Sequence, residues 1–210
     1  MPQVWIPLVA QRSRWRLKPG THWRQEDNSA PALKLLVREW LVAQLPGRSV
    51  LEVYGGGGRM FGGIWSRPEF ACGTTMGEAL DWLGSVSALD FDLYDIDPYG
   101  SPFEAIEIIA RRSARNTIGI AGTDGALRRA AMMRSHISQF LIDRIGFDDA
   151  DKRLKAAIYY RYPAYLRMVC ERLMLGWMLK AIIVKHPAGT WKQATSYFAL
   201  VAQRVLEQTA

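Results

Sequence analysis

Phe91-Asp92-Leu93-Tyr94-Asp95-Ile96-Asp97-Pro98-Tyr99-Gly100-Ser101-Pro102 is the stretch whose reading decides the fold. Its first half carries apolar residues at Phe91, Leu93 and Ile96 and reads as a short buried strand that ends in acid. Asp97-Pro98-Tyr99-Gly100 then turns the chain sharply at the strand's carboxyl end. In open α/β sheets ligands bind just beyond those carboxyl ends. An acid, a proline that fixes the turn and an aromatic ring together suit a flat, amine-bearing target: the carboxylate and nearby carbonyls accept from an amino group, and the ring stacks on a base. The same four residues are also good turn chemistry in any protein, with Tyr99 packed on a neighbour.

Downstream, Phe103, Ile106, Ile109 and Ala110 form a helical apolar stripe, with Arg111, Arg112 and Arg115 at its end, where cations suit the helix dipole. Thr117 to Ala121 reads as another buried strand, with Gly122-Thr123-Asp124-Gly125 just past it. Residues 126–180 read as mostly helical, broken at Gly146 and Pro163. Lys180–Lys185 and Ser196–Gln203 then read as an antiparallel hairpin that closes the sheet.

Upstream, Asn28 or Ser29 can cap a helix with Pro31 in its first turn. Leu33, Leu36, Val37, Trp40, Leu41 and Leu45 follow at helical spacing, and Pro46-Gly47 ends the helix. Ser49–Tyr54 is a strand that runs into Gly55-Gly56-Gly57-Gly58, with a second helical stretch expected through about Trp65. Phe70–Thr75 reads as a strand and Glu78–Leu83 as helix. Strands alternating with helices, closed by a hairpin, predict a mostly parallel α/β sheet.

Four glycines after a strand let the backbone approach a ligand closely. Met60 and Phe61 stand where a dinucleotide fingerprint needs its third glycine, and no Gly-Lys-Ser/Thr follows to make a phosphate loop. What remains is an acid, Glu52, followed by Gly56 and Gly58.

The 210 residues suffice for one domain, with 49% hydrophobic and 22% charged residues. Residues 1–27 form a separate arm in which Trp5, Trp15 and Trp23 interleave with Arg12, Arg14, Arg16, Lys18 and Arg24. Such an arm either grips a nucleic acid, with bases stacked on tryptophan, or packs its tryptophans on the domain. A net charge of +7 favours a polyanionic partner, nucleic acid before membrane. Cys72 and Cys170 form no CxxC pair, which suits a reducing, cytoplasmic setting. His22, His136 and His186 lie far apart, so no metal site is expected. Leu173–Val184, interrupted by Lys180, is too short to span a bilayer, and the amino terminus does not read as a secretory signal. Carbon-5 chemistry on pyrimidines is disfavoured, since neither cysteine follows proline.

Glu52 with Gly56 and Gly58 resembles the first motif of class I S-adenosylmethionine-dependent methyltransferases, and the order of strands resembles their layout. Within that superfamily the chain is most similar to the tRNA guanine dimethyltransferases. Asp95 to Pro102 resembles their Asp-x-Asp-Pro-Phe/Tyr-Gly-Ser/Thr-Pro signature, Thr123-Asp124 resembles a Thr-Asp after the next strand, and Tyr162 to Glu171 is similar to a later segment. Together these cover residues 28 to 200, and they imply a methyltransferase-like domain over 28–210. The resemblance implies S-adenosyl-L-methionine as cofactor, held by Glu52, Tyr54, Gly55, Gly56, Gly58, Thr74, Glu78 and Asp95. It implies Asp97, Pro98 and Tyr99 as the catalytic set. Tyr99, Gly100, Ser101 and Asp124 would meet the substrate, with Arg14 and Arg16 from the arm.

The chain also departs from the family. Thr74 and Thr75 stand near the place of the acid that binds the cofactor's ribose, and Glu78 and Asp81 are both candidates to replace it. The segment before the signature lacks one strand–helix unit on the adenine side. Three readings therefore stand: methylation of a base amine in RNA, the same reaction on DNA, and a nucleic-acid-binding module that keeps the fold without catalysis.

Overall fold

In the computed structural model the described residues are 31–54, 64–98, 100–125, 137–148, 151–186 and 195–205. The arm over 1–27, the glycine run with the helical stretch expected after it, and Tyr99 lie outside them. A first helix, α1 (Pro31–Gln44), precedes strand β1 (Ser49–Val53). After a single 3-10 turn at Ile64–Ser66 come β2 (Ala71–Thr74), α2 (Ala79–Ser85), β3 (Leu93–Ile96), α3 (Phe103–Arg112) and β4 (Thr117–Asp124). Helices α4 (Gln139–Ile145), α5 (Lys152–Tyr160) and α6 (Tyr162–Leu173) lead to β5 (Trp177–Lys185) and β6 (Ser196–Arg204).

The six strands form one sheet in the order β2-β1-β3-β4-β6-β5. β2, β1, β3 and β4 are parallel, β6 runs antiparallel to β4, and β5 runs antiparallel to β6. This is the expected α/β sheet with its closing hairpin. Between β2 and β3 the chain holds one helix and no further strand, so the shortening read from the sequence is present. From β1 the chain moves outward to β2, then returns to the other side of β1 as β3. That reversal of strand order opens a crevice at the carboxyl ends of β1 and β3, the place where such sheets bind ligands.

Alternation along the strands sorts side chains onto two faces. Leu51, Val53, Tyr94, Ile96, Ile120, Phe198 and Leu200 pack against α2, α3 and α6 through Leu83, Phe103, Ile106, Tyr165, Leu166 and Val169. Val50, Leu93, Ala121, Ala199 and Val201 face Val37 and Leu41 of α1, with Trp65 and Phe70. A Cβ on Gly119 would stand 2.8 Å from Leu41 Cδ1 and 2.8 Å from Leu93 Cδ2, so glycine is what lets α1 sit this close to the sheet. No helix among the described residues is long and apolar enough to cross a membrane.

Three boundaries and one helix face differ notably from the sequence reading. β4 continues through Gly122, Thr123 and Asp124, because β6 goes on pairing as far as Asp124 with Ser196. β5 begins at Trp177, directly after a turn at Gly176 (φ 80°), ahead of the strand start at Lys180 that the sequence suggests. The break between α5 and α6 falls at Arg161, since Pro163 sits in the first turn of α6, where its missing N–H costs nothing. In α1, Val37 and Leu41 are buried as expected, yet Leu36 is 40% exposed.

Candidate functional site

Register places Glu52 of β1 beside Asp95 of β3, and Asp97 follows two residues later on the same face. Three carboxylates therefore converge at the carboxyl ends of the two strands that flank the crevice, all on the side that α1 covers. Two cations one helical turn apart on α1 meet them. Arg38 donates to Asp95 through Nε (2.6 Å) and Nη2 (2.9 Å), and Trp65 Nε1 donates to the same carboxylate at 2.5 Å. Lys34 Nζ donates to Asp97 Oδ2 at 2.7 Å, while the Thr123 hydroxyl of β4 donates to Asp97 Oδ1 at 2.6 Å.

The third acid has no such partner among the described residues. Glu52 is 2% exposed, and both of its carboxylate oxygens lack a hydrogen-bond donor among the described residues. Burial, with Asp95 and Asp97 nearby, raises its pKa from 4.5 to about 8 against the opposing pull of Arg38. Burial alone works to lower the Arg38 pKa, but Asp95, Asp97 and Glu52 together raise it, so Arg38 stays charged. Cys72, on the same face, is pushed up to about 12 by burial and by Glu52 and Asp95, and is inert as a nucleophile.

Around these acids the chain is tied down. Tyr54 leaves β1 with φ 68°, a left-handed conformation that costs energy in a residue with a Cβ and turns the chain toward the glycine run. The Glu52 carbonyl accepts from the Thr74 hydroxyl and the Thr75 N–H, both at 3.3 Å, which clips the end of β2 to the end of β1. Glu78 is the exposed N-cap residue of α2. The Ser101 hydroxyl, just past the turn, is buried without a hydrogen-bond partner among the described residues. Gly125 N–H donates to the Gly100 carbonyl at 3.2 Å and fastens the signature turn to the end of β4.

The structure thus brings Glu52, Asp95, Asp97, Pro98, Gly100 and Ser101 to the carboxyl ends of β1 and β3. Gly55, Gly56, Gly58, Tyr99, Arg14 and Arg16 lie outside the described residues. Asp95 is 1% exposed and fully engaged by Arg38 and Trp65, so its carboxylate braces α1 and is not presented to a ligand as the sequence reading expected. Asp124 projects to the opposite face, is 0% exposed, and accepts from the Tyr162 hydroxyl at 2.6 Å. A substrate contact by its side chain is closed in this arrangement. Lys34, Arg38 and Trp65 were missed in the sequence. The available signal was the pair of cations at i and i+4 on a helix whose apolar residues pointed the same way.

No protein-family model matches the chain, and no curated protein matches it. Solved structures similar to it in fold include the plantazolicin methyltransferase BpumL in complex with a triazolic desmethylPZN analog and SAH. The two share 13% identity over 85% of this chain and 88% of that one, with a TM-score of 0.46. Another is the N-methyltransferase NodS from Bradyrhizobium japonicum, at 10% identity over 85% of this chain and 98% of that one, with a TM-score of 0.45.

Proposed function

We propose that the chain is an S-adenosylmethionine-dependent methyltransferase that modifies an amino group of a nucleic-acid base, in RNA before DNA. The observation that carries the reading is the buried Glu52 carboxylate, without a hydrogen-bond donor among the described residues, at the carboxyl end of β1 beside the Asp97-Pro98 turn. A buried acid without donors costs several kcal/mol unless a ligand supplies them. The cofactor's ammonium and ribose hydroxyls are donors of the required kind, so the residues present fit it. Glu52 and Tyr54, with Gly55, Gly56 and Gly58 after them, would hold it, and Thr74, Glu78 and the Ser101 hydroxyl stand nearby.

When bound, the cofactor supplies a methyl group on a positively charged sulfur. The chain's task is to hold a weakly nucleophilic amine in line with that methyl, and positioning dominates such a reaction. Among the described residues each Asp97 oxygen accepts one bond, from Lys34 or Thr123, which leaves each a further lone pair. The two existing bonds fix the carboxylate's orientation, and the free lone pairs accept the amine's hydrogens. That interaction favours a localised lone pair on the nitrogen and gives the departing proton a place to go. Tyr99 would stack on the extruded base.

Mass spectrometry of nucleosides from RNA and DNA incubated with protein and cofactor tests the reading. Asp97→Ala is expected to abolish transfer while calorimetry still registers cofactor binding. Transfer undiminished in that variant removes Asp97 from its role, and modified DNA in place of RNA reverses the choice of substrate. One observation favours the non-catalytic module instead: the single helix between β2 and β3 leaves little structure to build an adenine pocket. A calorimetric titration with cofactor that gives no heat decides for that module.

A further inference from the structure

A base held at the crevice belongs to a strand whose neighbouring nucleotides must lie somewhere on the surface. From Lys152 to Cys170 the chain contains five basic residues and no acid, although it is helical nearly throughout. Arg153, Ala157 and Arg161 recur at four-residue spacing along α5 and its carboxyl end, which puts them on one stripe. With Tyr160 they line an open groove of about 390 Å³. Tyr160 is 76% exposed at the end of the helix, and Arg161 is exposed where α5 passes into α6. The neighbouring cavity of about 370 Å³ shares Arg153 and Ala157 but contains Asp148 and Asp151, and its Arg172 already lies over the Phe147 ring at 5.3 Å. The Arg153–Arg161 side is the half with positive charge alone.

A short chain of bonds links the end of this groove to the signature turn. Arg161 precedes Tyr162, whose hydroxyl donates to Asp124 at the end of β4. The next residue, Gly125, is bonded to Gly100 in the signature turn. We propose that the stripe Arg153–Ala157–Arg161 with Tyr160 is a track for an unpaired RNA strand leading away from the crevice. Arg153 and Arg161, whose backbones stand about 12 Å apart along the helix axis, meet separate phosphates of one strand. The tyrosine ring offers a stacking surface to an adjacent base, and Ala157 keeps the floor between them low. The inference rests on the reading of a nucleic-acid target given above.

Fluorescence anisotropy of a labelled oligouridylate with the full chain tests it, across a series of salt concentrations. Arg153→Gln/Arg161→Gln is expected to weaken binding roughly tenfold or more and to flatten the slope of log affinity against log salt by about 1.4, the value for two single-strand phosphate contacts. Tyr160→Ala is expected to weaken it roughly fivefold or more. The control Arg48→Gln/Arg67→Gln removes the same charge from exposed positions elsewhere and is expected to change affinity less than about twofold. An equal loss in the control overturns the track, as does an unchanged salt slope in the groove variant. Tighter binding of oligothymidylate than of oligouridylate overturns the choice of RNA. If groove variants bind and methylate like the wild type, the track falls and the proposed reaction stands; if the wild type binds no oligonucleotide, the track falls together with the nucleic-acid target.

Discussion

Replacing Glu52 by Gln removes a charge that the folded protein tolerates poorly and the unfolded chain does not feel. In the unfolded chain this carboxyl titrates near 4.5; in the crevice it keeps its proton until about pH 8. Between those values the unfolded state loses a proton that the native state retains, so each pH increment favours unfolding. Stability from this group is complete below pH 4.5 and declines as pH rises toward 8. At about 1.4 kcal/mol per pH unit the whole interval amounts to about 5 kcal/mol, and local relaxation leaves roughly 2–4 kcal/mol to be observed. Glu52→Gln keeps the shape without the titration, so the variant should match the wild type at pH 5 and exceed it by that margin at pH 8. Urea denaturation at pH 5, 6.5 and 8, with slopes compared for two-state behaviour, measures the difference. A difference between the two proteins that stays constant across the three pH values refutes the claim that burial holds the carboxyl protonated.

The same acid sets the pH dependence expected of the proposed cofactor binding. A cation placed beside a protonated Glu52 favours ionisation, so binding releases a proton, affinity rises from pH 6.5 to 8, and calorimetric heats vary with the buffer's ionisation enthalpy; heats independent of buffer oppose this. Arg38→Met strands Asp95 in the interior and should cost about 3–5 kcal/mol, most of it recovered in Arg38→Met/Asp95→Leu. Additive losses in the double variant, measured by urea denaturation, contradict that pairing. Gly119→Ala drives a methyl into Leu41 and Leu93 and should cost about 1–3 kcal/mol, read as a lowered melting temperature; an unchanged melt shows that α1 has room to move away.

The rotation of α1 about its axis marks where sequence reading succeeds and where it stops. Strand alternation and the glycine and proline punctuation locate β1, β3, the signature turn and the closing hairpin, because these depend on local backbone preference. The apolar stripe likewise locates α1 along the chain. It does not set which side of the helix faces the sheet: counting hydrophobic residues admits Leu36 to the buried face, but Leu36 is 40% exposed while Lys34 and Arg38 turn inward. Burying one leucine is worth about 2 kcal/mol, whereas leaving Asp95 in the interior without its guanidinium costs more than that. The acids at the ends of β1 and β3 therefore decide the rotation, and they act across 57 residues of sequence for Arg38 with Asp95 and 63 for Lys34 with Asp97. No local window contains both partners. The same separation explains Asp95 itself. Within its own stretch it is indistinguishable from Asp97, two acids two residues apart on one face. Only the helix laid over them makes one a buried brace and leaves the other at the lip of the crevice, held by Lys34 and Thr123 with lone pairs to spare.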